Sequence, residues 1–339
     1  MSRQGTLFYV PNGVSVQMAP RSLVWVDRKG HEEPINAPPR PYGYARISPD
    51  GTRVVLGITD QESNDIWIWD LERQTLRRLT FAPGSDSLAF WTPDSRRIIF
   101  TSDRSGVLNL YSQAADTGAA DRLTTSAHQE FPSAISPDGT LVVGFEGLSI
   151  AAPTQLTPGF AFRVRSYPMT GLSSRPGPGP SPSTTSSPAQ TLFDGVWAEF
   201  SPDGRYLAYQ TAADPGQSEI YVRPFPQVDS GRWQISTAGG SRPTWARNGR
   251  ELFYLDASNT LTAVPVQTSG STFSAGKPAK VFDARYSTPF PPRSYDVSPD
   301  GKRFLMLKES ATGDPNATPV RMVVVEHWFE ELKQRVNGK

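Results

Sequence analysis

The chain has 339 residues, of which 37% are hydrophobic and 20% charged, so it can bury a sizeable core. Its 28 glycines and 32 prolines are too frequent for long helices, which argues against a helical bundle. The formal net charge of +1 provides no overall field for nucleic acid, and the lack of cysteine excludes disulfides and thiolate metal sites.

The N-terminal residues 1–20 lack the basic start and the long apolar run of a secretion signal. No stretch of the sequence approaches the roughly 18 apolar residues that a membrane span needs. From these two observations we expect a cytoplasmic location and no direct membrane insertion.

One tetrapeptide recurs along the chain. Ser48-Pro49-Asp50-Gly51 returns, in full or with small changes, at 92–95, 136–139, 201–204 and 298–301, with a degenerate copy at 246–249. Successive aspartate positions are 44, 44, 65, 45 and 52 residues apart. Proline presets the backbone of the second turn position and glycine accepts the left-handed geometry that ends the turn. Each copy therefore predicts a hairpin turn between two strands.

Short β-branched or aromatic segments follow each turn, at 54–58, 98–101, 206–210 and 304–307. Third and fourth strands are predicted after them, as at 66–69 and 76–80 in the first repeat. Four strands in about 45 residues is the size of one propeller blade. The sequence thus predicts an all-β fold, a β-propeller of four-stranded antiparallel blades that forms one domain over 1–339. The alternative is a β-sandwich of unrelated hairpins.

The two ends of the repeat series are incomplete. The unit at 5–36 lacks a first strand, and the unit at 295–326 lacks a fourth. We expect these partial units to meet and close the ring, which leaves no exposed sheet edge there. Counted separately they give seven units, with six blades as the alternative. A short C-terminal helix and tail are predicted over 327–339.

The 65-residue interval between the turns at Asp138 and Asp203 contains two insertions. Residues 147–160 lengthen one loop, and 173–190 are rich in proline, glycine and serine. Such a composition buries too little surface to order itself, so a flexible loop is predicted at 173–190. A proline-rich docking motif is the alternative.

The Ser-Pro-Asp-Gly repeats resemble those of TolB-like, WD-repeat-like bacterial β-propellers with PD40 repeats. The strings at 219–226, 249–254 and 295–301 and the ending at 328–332 are similar to the extracytoplasmic sensor propeller of bacterial serine/threonine kinases. This resemblance implies a sensor or protein-interaction propeller and, as the alternative to the cytoplasm, an extracytoplasmic location. The sequence contains no kinase motif.

Catalytic motifs are also missing. The sequence has no Gly-x-Ser-x-Gly elbow and no metal-ligand spacing, and His31, His128 and His327 lie in separate units. We therefore predict no catalytic residue, no cofactor and no metal site. The expected function is non-catalytic binding of a ligand or protein, with a propeller hydrolase or lyase that has an axial active site as the alternative.

Candidate binding residues lie in the loops that crowd around a propeller's channel, before the innermost strands and between second and third strands. Their mixture of aromatic and charged side chains favours a protein or peptide partner over nucleic acid. We expect the chain to bind this partner as a monomer. Trp91, Trp197 and Trp245 recur beside inner strands, which favours packing between blades. The candidates are Arg40, Tyr42, Tyr44, Asp60, Asp103, Arg104, His128, Glu130, Trp197, Arg242, Tyr286, Arg293 and Tyr295.

Overall fold

The structure, a computed structural model, describes 7–9, 19–59, 63–147, 162–169, 189–211, 218–269, 272–283, 286–288, 293–310 and 323–325. Within these residues all regular secondary structure is β-strand. The chain begins with three strands, β1 (Leu7–Tyr9), β2 (Arg21–Asp27) and β3 (Glu32–Pro34).

Five blades follow in chain order, each an antiparallel sheet. Blades 1 and 2 consist of β4 (Tyr42–Ile47), β5 (Arg53–Thr59), β6 (Asn64–Asp70), β7 (Thr75–Arg78), β8 (Asp86–Trp91), β9 (Arg97–Ser102), β10 (Asn109–Ala114) and β11 (Asp121–Arg122). Blades 3 and 4 consist of β12 (Gln129–Ile135), β13 (Leu141–Gly147), β14 (Arg163–Pro168), β15 (Gln190–Asp194), β16 (Val196–Phe200), β17 (Tyr206–Gln210), β18 (Ile220–Pro224) and β19 (Trp233–Gln234).

Blade 5 has a fifth strand, because its long third strand pairs with two partners. Its strands are β20 (Gly240–Trp245), β21 (Glu251–Asp256), β22 (Leu261–Ser269), β23 (Thr272–Ala275) and β24 (Ala279–Phe282). The chain then continues through β25 (Tyr295–Val297), β26 (Arg303–Glu309) and β27 (Val323–Val325).

Blade 6 is built from both ends of the chain. Its strand order is β25-β26-β2-β3, and β2 pairs with β26 over seven residues, from Arg21 opposite Glu309 to Asp27 opposite Arg303. The expected meeting of the partial units is thus confirmed. The count of seven was wrong, because the two partial units are halves of one blade and the ring has six blades. Strands β1 and β27 form a separate pair.

Two predicted segments fall largely outside the described residues. The C-terminal helix expected over 327–339 lies wholly outside them, and the described part of the chain contains no helix. Of the loop expected at 173–190, only the last two residues are described, and Gln190 already belongs to β15.

The recurring tetrapeptide forms the hairpin turn that was predicted. Ser48 Oγ donates to Asp50 Oδ1 at 2.5 Å, and the same carboxylate oxygen accepts the backbone N–H of Thr52 at 3.0 Å. Gly51 follows with φ +74°, which glycine adopts without strain. The serine–aspartate contact repeats at 136–138, 201–203 and 298–300.

These turns also contact one another around the ring. A Cβ on Gly51 would lie 3.1 Å from the Pro299 ring of blade 6, and those on Gly139 and Gly204 would lie near the prolines of the preceding turns. In blade 5 Arg247 stands in the proline position and donates to the carbonyl oxygens of Ser48 and Pro49 at 3.4 and 3.2 Å. The turns therefore form one connected face, called here the turn face, and the opposite face of the ring is called the mouth face.

The turn carboxylates make the free energy of unfolding depend on pH in the acidic range. Hydrogen bonds from the Ser136 hydroxyl and Thr140 hold the pKa of Asp138 below its ordinary value, and the Ser298 hydroxyl does the same for Asp300. A depressed folded-state pKa stabilises the protein fully above the unfolded pKa of about 3.9, and this contribution is lost as pH falls through the lower folded value.

We therefore expect the free energy of unfolding to fall more steeply between pH 5 and pH 2.5 in the wild type than in a D138N/D300N variant. Urea denaturation at several pH values measures this difference. Burial raises the pKa values of Glu130 and Glu199, so these two groups make the protein more stable as pH falls. Both proteins contain them, so their effect cancels in the comparison. If the free energy of unfolding fell equally steeply with pH in the two proteins, Asp138 and Asp300 would not be the source of the acid sensitivity.

A recurring hydroxyl ties the third strand to the fourth in blades 1, 2 and 4. The backbone N–H of Ile66 donates to Thr80 Oγ1 at 3.0 Å. Equivalent bonds join Leu110 to Thr124 at 3.0 Å and Ile220 to Ser236 at 2.8 Å. These bonds set the position at which each blade's fourth strand ends and the chain turns towards the next blade.

Candidate functional site

The inner strands β4, β8, β12, β16 and β20 all contain a bulge or register shift. In three of them the residue four positions before the turn is left-handed: Leu88 has φ 54°, Trp197 φ 53° and Arg242 φ 57°. Such a backbone is unfavourable for bulky side chains and occurs mainly where structure or function imposes it. The bulges redirect these side chains near the mouth face.

A second set of inner-strand residues lies two positions before each turn. Its members in blades 2 and 3 are apolar, whereas those in blades 1, 4, 5 and 6 are polar, so these four blades form the polar side of the ring's axis. In blade order they are Arg46, Phe90, Ala134, Glu199, Thr244 and Asp296.

The polar side of the axis contains a network of ion pairs. Arg293 Nη1 lies 3.0 Å from Glu199 Oε2, which joins blade 6 to blade 4, and its Nη2 lies 3.5 Å from Asp296. Glu199 Oε1 also accepts the hydroxyl of Thr244 at 2.9 Å. Arg46 Nη1 donates to the carbonyl oxygen of Arg293 at 2.5 Å. The network therefore connects four of the six inner strands.

Burial sets the electrostatics of this network. Burial raises the pKa of Glu199, and burial followed by repulsion from Arg293 lowers the pKa of Arg46, which remains protonated at neutral pH. Burial also opposes the charge on Arg293, but Glu199 and Asp296 outweigh it and raise its pKa. Arg46 is 4% exposed, and its Nε has no hydrogen-bond partner among the described residues.

An aromatic cluster lies near the mouth face between blades 3 and 4. The Trp197 and Phe145 rings meet edge to face at 4.8 Å, and Phe145 also contacts Phe131 at 5.1 Å and Phe162 at 5.7 Å. Phe131 and Phe145 are buried, whereas Phe162 and Trp197 are half-buried. The two half-buried rings thus present aromatic surface above a packed base.

Arg242 extends from blade 5 towards blade 6. Its guanidinium donates to Ser294 Oγ and to the carbonyl oxygen of Thr288, both at 3.3 Å. Burial lowers its pKa to about 10, so it carries its charge at neutral pH. The mouth face therefore has aromatic side chains on blades 3 and 4 and a positive charge on blade 5.

Three of the predicted site residues, Arg242, Arg293 and Tyr295, come together here. Tyr295 is fully buried and donates its hydroxyl to the carbonyl oxygen of Arg242 at 2.8 Å, and Arg293 belongs to the axial network. Trp197 lies on the neighbouring inner strand. Trp197 does not share the position of Trp91 and Trp245, whose indole N–H groups donate to carbonyl oxygens of the preceding blade at 3.1 Å.

Other predicted residues are held inside the blades. Tyr42 is fully buried and donates to the carbonyl oxygen of Pro38, while the Tyr44 hydroxyl accepts the backbone N–H of Ala89. Glu130 is 2% exposed and accepts the Thr124 hydroxyl. These three side chains act in packing and hydrogen bonding.

The remaining predicted residues are dispersed. Arg104 pairs with Asp86 at 2.9 Å, Asp103 accepts the backbone N–H of Ser85, and His128 lies 3.9 Å from Glu146. Arg40 is exposed beside β4, and the Tyr286 hydroxyl donates to Glu32. Asp60 lies outside the described residues.

Sequence reasoning missed four axial residues, Arg46, Glu199, Thr244 and Asp296. The prediction considered loops, but these residues lie within the inner strands. A usable signal existed: aligning the repeats on their turns places all four in one column, two residues before the turn. Among the described residues, no three histidine or carboxylate side chains are grouped so that they could hold a metal ion.

Comparison with known proteins finds that part of this chain is similar to TolB-like propellers. Residues 30–149 match the PD40 family, the TolB beta propeller domain. The Tol-Pal system protein TolB of Wolinella succinogenes is 36% identical over 70 residues, which are 21% of this chain and 17% of that protein. An uncharacterized protein of Agrobacterium fabrum is 34% identical over 97 residues, which are 28% of this chain and 33% of that protein. The matches therefore span at most a third of these relatives.

Solved structures agree on the fold. A TolB-type protein from Agrobacterium tumefaciens superposes with a TM-score of 0.58 at 15% identity, over 86% of this chain and 99% of that one. An oligogalacturonate lyase from Vibrio parahaemolyticus gives a TM-score of 0.53 at 13% identity, over 95% of this chain and 82% of that one. Identities this low show the fold alone. In the described part of the chain no helix has the length and apolar character needed to cross a bilayer.

Proposed function

We infer that this TolB-like propeller is a non-catalytic platform that binds a protein or peptide on its mouth face. One observation carries the proposal: Trp197 and Arg242 occupy the same left-handed bulge position on neighbouring inner strands. Aromatic and arginine side chains supply most of the binding energy at protein interfaces. Holding two such side chains in an unfavourable backbone is typical of a functional surface.

The axial carboxylates support binding rather than catalysis. General acid–base catalysis needs a carboxyl group that can reach a substrate proton. Glu199 and Asp296 both face the guanidinium of Arg293, and Glu199 also accepts the Thr244 hydroxyl. Their hydrogen-bonding capacity is used within the protein. The axial hydrolase or lyase remains the alternative, since an enzyme shares the fold.

Two finer points belong to the same proposal. The likeness to the sensor propellers of receptor kinases suggests that the bound partner acts as a signal. The matches to TolB favour the extracytoplasmic location over the cytoplasmic one. We further propose that the chain acts as a monomer and binds neither nucleic acid nor a cofactor.

The test compares the wild type with a W197N/R242N variant as baits in affinity capture from periplasmic extract. Asparagine tolerates the left-handed backbone, so the variant keeps the bulges while losing the binding side chains. We expect the wild type to retain a specific protein and the variant to retain at least about tenfold less. An Arg250→Glu variant, altered at an exposed residue of blade 5, should retain as much as the wild type.

A thermal-shift series with divalent metals on the same preparation separates the two functions. Stabilisation by a metal, together with no retained protein, would overturn the platform and favour the axial enzyme. Equal retention by the wild type and the W197N/R242N variant would overturn the mouth face as the binding surface.

A further inference from the structure

A second surface lies between blades 1 and 2, at the outer strand of blade 1. It is a cavity of about 480 Å³, called here the blade 1–2 groove. Its walls are the end of β7, the connection to β8, the loop between β9 and β10, strand β10 and the loop between β10 and β11. Its charged and aromatic lining residues are Arg77, Arg78, Phe81, Arg104 and Asp116.

The repeat itself shows that Phe81 is not needed by the fold. Phe81 directly follows Thr80, the hydroxyl residue that ties the third strand to the fourth. The residues in the same place in blades 2 and 4 are Thr125 and Thr237. Phe81 is 72% exposed and is the one large hydrophobic residue with such exposure in the described ranges. Exposed aromatic surface at a position where sister blades have threonine points to contact with another molecule.

The groove is preformed. The loop between β10 and β11 has six residues, 115–120, whereas the corresponding loop of blade 1 has four, 71–74. Gln113 Nε2 donates to the carbonyl oxygens of Leu79 and Gly118, both at 3.0 Å, and so fixes the loop against blade 1. A Cβ on Gly118 would meet no atom of the described residues within 4 Å, so these residues leave the space beside the loop open.

The groove presents positive charge outward. Arg78 pairs with Asp65, and Arg104 pairs with Asp86, as described above. Both carboxylates are 2% exposed, so they lie beneath the guanidinium groups and out of a partner's reach. The side chains of Arg77, Arg78 and Arg104 are 40%, 32% and 19% exposed.

One exposed carboxylate, Asp116, lies on the lining and is shared between two arginines. Arg53 contacts it at 3.0 Å and Arg77 at 3.8 Å. The Arg78 guanidinium also lies over the Phe81 ring, 5.1 Å from its centroid. A partner therefore meets an aromatic ring beside several guanidinium groups, and its complement carries both an apolar side chain and negative charge.

We propose that the blade 1–2 groove binds an extended acidic peptide segment that places an apolar side chain against Phe81. A polyanion without apolar groups would pair with the arginines but leave the ring uncovered. Neither Trp197 nor Arg242 lines the groove, so this proposal does not rest on the mouth-face function.

The test is fluorescence anisotropy with a fluorescein-labelled peptide of alternating glutamate and phenylalanine. Two matched probes replace the phenylalanines by serine or the glutamates by lysine. We expect the wild type to bind the first probe about tenfold or more tightly than either matched probe. Phe81→Ser and Arg77→Glu should each weaken binding about tenfold, and Arg250→Glu in blade 5 should leave it unchanged. Higher salt should weaken binding.

Two results would overturn the proposal. Equal affinity for the serine probe would show a general polyanion surface that makes no use of Phe81. Binding that survives Phe81→Ser and Arg77→Glu but is lost in W197N/R242N would place the peptide on the mouth face instead. Phe81 is exposed and Arg77 is half-buried, and circular dichroism and the melting temperature check that both variants fold.

Discussion

A chain that lacks residues 1–36 is expected not to fold. Strand β2 is the third strand of blade 6, and Leu23, Val24 and Val26 are at most 4% exposed. Burying each such side chain contributes about 1.5–3 kcal/mol, so the strand's contribution is comparable with the whole stability of a typical domain, about 5–15 kcal/mol. Without β2 the ring also stays open, with the edge of β26 unpaired.

The deletion can be rescued in trans if this explanation is right. A synthetic peptide of residues 19–36, added during refolding, should restore the far-ultraviolet circular dichroism and a monomeric gel-filtration peak. The same peptide with Leu23 and Val26 replaced by aspartate should not, since both side chains are fully buried. A deleted chain that folds and melts like the full chain would contradict the shared blade.

Replacing Arg293 by methionine is expected to lower the free energy of unfolding by about 3–5 kcal/mol at neutral pH. The Arg293 side chain is 9% exposed, and its removal takes away the guanidinium that both Glu199 and Asp296 face. Burial raises the pKa of Glu199, and Arg293 opposes this rise, so without Arg293 the Glu199 carboxyl stabilises the fold when protonated and this contribution is lost as pH rises. The deficit of the variant should therefore shrink as pH falls from 7 to 5.

The matched variant removes the carboxylate as well. Glu199→Met combined with Arg293→Met leaves only Asp296, whose oxygens still accept the backbone N–H groups of Ile47 and Val297. We expect the double variant to be more stable than Arg293→Met alone, as measured by urea denaturation. A loss below about 1 kcal/mol for Arg293→Met, or no recovery in the double variant, would show that the network contributes little.

The fold was predictable because its strongest signals are local. The turn at Ser48–Gly51 depends on a proline, a glycine and an aspartate whose carboxylate accepts hydrogen bonds from the turn itself. All of these residues are adjacent in the sequence, so the turn can be predicted from the sequence alone. The number of blades depends on a contact between Arg21 and Glu309, at opposite ends of the chain. No local pattern shows that two partial units belong to one sheet.

The site was harder to predict for a related reason. Tyr42 and Tyr295 are of a residue type that is common in binding sites, yet both are fully buried. Only the three-dimensional structure distinguishes an aromatic ring that packs in the core from one that faces a partner. Glu199 and Asp296 lie in strands whose sequences resemble those of the other inner strands. Their role depends on the closed ring, because residues of blades 4 and 6 contact the same Arg293 near its axis.

The composition of blade 6 has a consequence for biosynthesis. Strand β2 is made before blades 1 to 5, but Asp27 cannot pair with Arg303 until all five of those blades have been made. At about 5–20 residues per second, the delay is roughly a quarter of a minute to a minute. Throughout this time Leu23, Val24 and Val26 have no sheet to join. The nascent chain therefore carries an unpaired apolar strand while blades 1 to 5 are made, and we expect a chaperone to bind this strand during that time.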